Sequence, residues 1–158
     1  MLKVIRAGMY TTVQDCGRDG LRQSGVSRGG AMDKPALITA NLLVGNDANA
    51  AALEITLGMA SFHFARDGWF ALTGAGSEAT LDDEAVWSGW RHWAKAGQTL
   101  ALKRPQYGIR SYLAVAGGID VPAVMGSRST DLNVGIGGLE GRRLQDGDVL
   151  PLGNPLRT

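Results

Sequence analysis

The chain has 158 residues, 44% apolar and 20% charged, with a formal net charge of +1. That is the balance of a soluble globular domain long enough to bury a real core. It excludes the basic footprint of a nucleic-acid binder, and no apolar run reaches the roughly 18 residues of a membrane-spanning helix.

Leu2 to Arg6 opens the chain as a strand and lacks the apolar core and cleavage site of a signal peptide, so the cytoplasm is the expected compartment. Tyr10 to Gln14 reads as a second strand. Residues 14 to 33 then break the pattern, with five Gly, three Arg and three Asp. Asp33 is placed to cap a helix over Lys34 to Val44: Pro35 is tolerated in the first turn, and Ala36, Leu37, Ala40, Leu43 and Val44 form an apolar stripe. Gly45 supplies the stop.

Short β-branched or aromatic runs follow at Ala52 to Leu57, Ser61 to Ala65, Trp69 to Thr73, Ala79 to Asp82, Arg91 to Lys95, Thr99 to Lys103 and Ser111 to Ala116. Ala96-Gly97-Gln98 reads as a hairpin turn between two alternating strands. Trp87, Trp90 and Trp93 recur every third residue, a spacing that hairpin packing accounts for. Residues 117 to 147 hold eight Gly and scattered aliphatics. Irregular segments this long usually carry function, and this one is expected to be mobile or to contact a partner. One helix among about nine strands, with 23 Gly for tight turns, indicates a mainly β barrel or sandwich and no βαβ fold.

Several motifs can be set aside. Gly74-Ala75-Gly76-Ser77-Glu78-Ala79 matches a dinucleotide fingerprint, but no helix pattern follows it, and no P-loop motif occurs. Cys16, the one cysteine, cannot form a disulfide within the chain. With His63 and His92 distant from it in sequence, no metal site is expected. No Ser–His–Asp arrangement follows from the spacing.

Four strings remain, in order: Thr11-Thr12-Val13-Gln14-Asp15-Cys16-Gly17-Arg18-Asp19-Gly20, Gly29-Gly30-Ala31-Met32-Asp33, Ala116-Gly117-Gly118-Ile119-Asp120-Val121-Pro122 and Gly126-Ser127-Arg128-Ser129-Thr130. Together they resemble the signature of the allophanate hydrolase subunit 2, or carboxyltransferase, family. That family includes 5-oxoprolinase C subunits, the carboxyltransferase part of urea carboxylase, and relatives named for antagonising an inhibitor of a sporulation kinase. The resemblance implies a cyclophilin-like β-barrel with one principal helix. Residues 1–153 would be the first half of a tandem pair, and 154–158 a frayed tail. It also implies a component of an ATP-dependent 5-oxoprolinase-type lactam or amide hydrolase, active only with partners: an allophanate hydrolase subunit 1-type (5-oxoprolinase B) subunit and a lactam-utilisation subunit. ATP would be used by the complex. Biotin would not be attached here, since Asp33 and not lysine follows Ala31-Met32. The alternatives are the carboxyltransferase domain of a biotin-dependent urea carboxylase and a regulatory protein-binding module.

The candidate site residues follow from the chemistry of these strings. Gln14, Arg18, Arg28 and Gly30 offer polar side chains and exposed amides suited to planar oxyanions. Arg128, Ser129 and Thr130 form a candidate anion cradle. Asp15 and Glu54 are the candidate proton acceptors or orienting carboxylates; Glu54, between Leu53 and Ile55, points to the opposite face of its strand. If the two irregular segments build one site, they should meet at one end of the molecule.

Overall fold

A computed structural model describes residues 1–17, 30–124, 126–132 and 135–155. It contains eleven strands and one helix among those residues: β1 (Leu2–Arg6), β2 (Tyr10–Gln14), α1 (Lys34–Leu43), β3 (Ala52–Thr56), β4 (Ser61–Phe64), β5 (Gly68–Gly74), β6 (Ser77–Leu81), β7 (Glu84–Val86), β8 (Arg91–Ala94), β9 (Thr99–Pro105), β10 (Arg110–Val115) and β11 (Val149–Leu150). Every named strand pair is antiparallel. The expected mainly β, one-helix architecture is what forms, as two hydrogen-bonded sheets and not one closed ladder. The first has the order β11-β1-β4-β9-β6-β7 and the second β2-β3-β10-β5-β8.

Alternation explains why the sheets face each other. Leu2 and Val4, Phe62 and Phe64, and Leu100 and Leu102 point inward from the first sheet, while Val13, Leu53, Ile55, Phe70, Leu72, Leu113 and Val115 point inward from the second. Full burial of each large side chain contributes about 1.5–3 kcal/mol. The second sheet is covered on its outer face as well. There Leu37 and Ala40 of α1, with Val44 just after it, pack on Ala52, Ala71, Tyr112 and Ala114. The three alanines let the helix axis come close. The helix starts where its cap requires: Asp33 Oδ1 accepts from Ala36 N at 3.1 Å, and Gly45, at φ +78°, turns the chain away.

Two sequence expectations need correction. The turn at residues 96–98 exists, with Gln98 N donating to Lys95 O at 3.0 Å, but it joins β8 of the second sheet to β9 of the first and so is no hairpin. The true two-residue hairpin links β6 to β7 through Asp82 and Asp83, at φ +48° and +70°. Hairpin packing does not account for the tryptophans either. Trp93 stacks edge-on against Trp69 at 5.0 Å, but Trp87 and Trp90 remain 65% and 67% exposed.

The segment 117–147 is better anchored than its composition suggests. Ile119, Val121 and Leu144 are buried in the core and Leu139 packs against it. Leu144 N donates to Thr11 O at 2.8 Å. Near its end, Arg142 grips Asp148 with both terminal nitrogens, at 2.8 and 3.0 Å. That hydrogen-bonded guanidinium is the main cause holding the Asp148 carboxyl below its ordinary value; partial burial opposes it and the Gln145 N–H assists. A depressed carboxyl stabilises the fold above its unfolded pKa of about 3.9, and the contribution disappears as pH falls through the lower folded value. Asp148→Asn should therefore lower the midpoint of denaturant unfolding at pH 7, with the gap from wild type closing below about pH 4. A gap unchanged between pH 7 and pH 2 would contradict this.

Candidate functional site

The outer face of the second sheet is only partly covered by α1. Toward β2 it is open, and the residues there follow from register. Tyr10, Thr56 and Arg110 form one row across β2, β3 and β10; Thr12, Glu54 and Tyr112 form the next; Gln14 and Ala52 begin the third. The period of two puts all of these on one face. With Gly30 and Met32 from the chain leading into α1, Tyr10, Thr12, Gln14, Glu54, Thr56 and Arg110 surround a pocket of about 390 Å³, while Ala52 and Tyr112 are fully buried outside its lining.

Glu54 is the hub. It is 5% exposed, and its Oε2 accepts from Tyr112 Oη and from Met32 N, both at 2.8 Å. Tyr112 Oη in turn accepts from Asp33 N at 2.9 Å, so the buried phenol is satisfied on both sides. Burial pushes the Tyr112 phenol well above its ordinary value; the Asp33 N–H works the other way, and the Glu54 carboxylate adds to the rise. Tyr112 thus stays a donor to Glu54 at any physiological pH. The second carboxylate oxygen, Oε1, faces Arg110 Nε at 3.9 Å, a loose pair whose arginine side chain is 34% exposed.

Gln14, on the other side of the pocket, is 7% exposed. Its Nε2 donates to Thr12 Oγ1 at 3.0 Å and to Thr130 O at 3.3 Å. A backbone carbonyl only accepts, which fixes the amide orientation. Gln14 Oε1 is then a buried acceptor with no hydrogen-bond partner among the described residues.

Asp15, next in sequence, points elsewhere. It is 3% exposed, and its Oδ1 accepts from Gly17 N at 2.8 Å, from Ser127 Oγ, and from Ser129 Oγ at 2.7 Å. Its Oδ2 accepts from Arg128 N at 2.8 Å. Its own N–H donates to Ser129 Oγ at 2.8 Å. The hydroxyl-and-amide cradle read from Gly126-Ser127-Arg128-Ser129-Thr130 therefore exists, and Asp15 supplies the anion that fills it. Thr130 is committed too, with N and Oγ1 donating to Val13 O at 2.9 and 3.0 Å. The described parts of the two irregular segments do meet, through this network.

Gln14, Gly30 and Glu54 line one pocket. The Arg128 guanidinium lies apart from them: its Nε donates to Val121 O at 2.9 Å, and it borders a different depression with Asp120 and Asn46. Arg18 and Arg28 lie outside the described residues. Gly30 has a structural reason for its identity. At φ +88°, an added Cβ would sit 2.7 Å from the carbonyl carbon of Cys16 and from Gly17 N.

Arg110, Tyr112, Tyr10 and Thr56 were not singled out from sequence. The signal available was Tyr112, a polar-tipped aromatic within an otherwise apolar run whose hydroxyl needs a buried partner. Among the described residues no three His, Cys, Asp or Glu side chains cluster as a metal site, and no helix is long and apolar enough to cross a membrane.

The family model for the carboxyltransferase domain, subdomain A and B, matches residues 24–158 of this two-sheet β chain. The chain belongs to that family. It is 74% identical over 157 residues to the 5-oxoprolinase C subunit of Escherichia coli, a match covering 99% of this chain and 51% of that protein. The corresponding C subunit of Haemophilus influenzae 5-oxoprolinase is 45% identical over 98% of this chain and 50% of its own length. The chain thus spans about half the length of these relatives. Among solved structures, the urea amidolyase of K. lactis superposes with a TM-score of 0.91 at 39% identity, over 96% of this chain and 9% of that one.

Proposed function

We infer that this chain forms part of a 5-oxoprolinase-type hydrolase, in which a lactam C–N bond is opened with ATP hydrolysis by a multi-protein assembly. The observation that supports the reading best is the 74% identity to a 5-oxoprolinase C subunit across nearly the whole chain. In this reading the chain is the first half of a tandem C subunit. Its partners are an allophanate hydrolase subunit 1-type protein and a lactam-utilisation subunit. The pocket at Glu54 is the part of the composite site contributed here. Glu54 orients Arg110 and is the candidate proton acceptor through Oε1, its less engaged oxygen. Asp15 is a positioning residue: it locks the end of β2, and with it Gln14, to the segment 127–130. Arg18, Arg28 and Arg128 remain candidate anion contacts within the assembly.

One guanidinium beside a carboxylate matches a triphosphate poorly, so in this reading ATP binds elsewhere in the assembly. A carboxyltransferase role is the second reading, favoured by the 0.91 superposition on urea amidolyase.

Reconstitution tests these readings. The full-length protein with both partner proteins should open 5-oxoproline to glutamate with stoichiometric ATP hydrolysis and no inhibition by avidin, while the full-length protein alone should do neither. Bicarbonate-dependent, avidin-sensitive turnover of urea would replace the first reading with the second.

A further inference from the structure

Tyr112 packs under α1, fully buried among Leu37 and Ala40 of the helix and Ala71 and Ala114 of the sheet. A phenylalanine ring would fill that space equally well, and a buried hydroxyl carries a desolvation cost that only hydrogen bonds offset. Both of its bonds lead to the edge of the pocket. Tyr112 Oη accepts from Asp33 N at 2.9 Å and donates to Glu54 Oε2 at 2.8 Å. A hydroxyl has one proton. With the Asp33 amide donating to the oxygen, that proton is directed at Glu54.

The result is a carboxylate with two unlike oxygens. Glu54 Oε2 takes two donors, Tyr112 Oη and Met32 N, both at 2.8 Å, while Oε1 has the 3.9 Å pair with Arg110. Tyr112 and Glu54 are direct partners across β10 and β3, so the hold is built on the sheet. The segment leading into α1 completes it. Its successive amides at Ala31, Met32 and Asp33 donate to Asp15 O, Glu54 Oε2 and Tyr112 Oη in turn.

We propose that Tyr112 is a positioning residue: its hydroxyl, with the Met32 amide, fixes the Glu54 carboxylate through Oε2 and so presents Oε1, on the Arg110 side, as the oxygen that acts in the pocket. The proposal rests on the reading of Glu54 as proton acceptor and deepens it by naming what holds that group ready. With two donors on Oε2, a proton accepted by Glu54 goes to Oε1. Being fully buried outside the pocket lining, Tyr112 acts through Glu54 and not on a ligand.

The test is Tyr112→Phe in the full-length protein, which keeps the ring and removes the hydroxyl. Amide hydrogen exchange by NMR reads it without turnover. The Met32 amide bonds to Glu54 and not to Tyr112, so its protection reports whether the carboxylate stays in place, and it should fall about tenfold or more. Ala31, bonded to Asp15 O at 2.9 Å, should keep its protection within about threefold. Unchanged Met32 exchange would overturn the proposal. So would equal losses at Ala31 and Met32, which mean a loosened segment and no specific hold on Glu54. A wild-type measurement covers a variant that fails to fold. The buried Tyr112 hydroxyl proton should appear as a slowly exchanging resonance with a cross-peak to the Met32 amide, since both point at Oε2; absence of that cross-peak would also overturn the proposal.

With both partner proteins added, Tyr112→Phe should lower kcat for 5-oxoproline roughly tenfold, the scale of one lost hydrogen bond to a charged group, with KM within about threefold of wild type. In the Glu54→Gln background the same substitution should cost less than about threefold, because no carboxylate remains to be held. Additive losses would mean that Tyr112 acts independently of Glu54 and would overturn the proposal. Unchanged Met32 exchange alongside lactam opening would leave the functional reading standing. The expected exchange pattern in an assembly that opens no lactam would retain the positioning and remove the function.

Discussion

Asp15→Ala should cost the fold about 3–5 kcal/mol, the range for stripping one partner from a buried, fully hydrogen-bonded charge. At about 2–4 °C per kcal/mol for a domain of this size, the melting temperature should fall by roughly 6–20 °C. Four donors converge on this carboxylate: Gly17 N, Ser127 Oγ, Ser129 Oγ and Arg128 N. With alanine, each loses its acceptor in a place where Ser127 and Ser129 are 1% and 0% exposed, so water cannot readily substitute. Asn recovers one acceptor but turns an NH2 toward donors, and Asp15→Asn should sit nearer to alanine than to wild type. Thermal unfolding checks the magnitude, and hydrogen exchange checks the place: amides 127–130 should lose protection before the strands do. A stability loss under about 1 kcal/mol would mean that the cradle contributes little, and would return Asp15 to the catalytic candidates.

That network also marks the limit of what could be read from the chain. The chemistry of Ser127-Arg128-Ser129-Thr130 was legible, since hydroxyls and amides in a turn make an anion site. The identity of the anion was not, because Asp15 is more than 100 positions away and nothing local encodes the pairing. The strands were legible for a simple reason. Leu53, Ile55, Leu100 and Leu102 alternate with more polar or smaller neighbours, and a half-buried strand imposes that period. Which sheet a strand joins is set by partners elsewhere, so the crossing at Gly97 passed for a hairpin. Strand β7 was missed because its turn, Asp82-Asp83, adopts the left-handed region without glycine, against the usual preference.

The candidate site divides the same way. Glu54 stood out as a charge in an apolar strand, and Gln14 and Gly30 stood out within motif strings. Arg110 falls just before the strand expected over Ser111 to Ala116 and carries no local signal; register sets it opposite Thr56, diagonal to Glu54, with which it pairs. Its place in the pocket exists only in the tertiary arrangement.

Glu54→Gln should lower kcat/KM of the reconstituted assembly by about 100-fold or more, the lower range for losing a positioned proton acceptor or its charge. The substitution preserves size, so the fold should lose only about 1–2 kcal/mol. Its consequences are local. Oε2 of Glu54 now satisfies Tyr112 Oη and Met32 N while Oε1 faces Arg110. An amide can keep its oxygen toward the two donors only by turning its NH2 to Arg110, which removes the negative charge from that cation. The opposite rotamer sets the NH2 against Tyr112 and Met32 and breaks both bonds. Either way, Arg110 loses its only charged partner among the described residues. Two roles can then be separated. If Glu54 acts solely by holding Arg110, then Arg110→Gln should produce a similar loss expressed mainly in KM, and the double variant should be no worse than the worse single variant. If Oε1 accepts a proton in the reaction, Glu54→Gln should depress kcat with KM nearly unchanged, and should flatten the acid limb of the pH–rate profile that Arg110→Gln retains. Turnover within threefold of wild type, in an assembly shown to be folded and complete, would remove Glu54 from the site altogether.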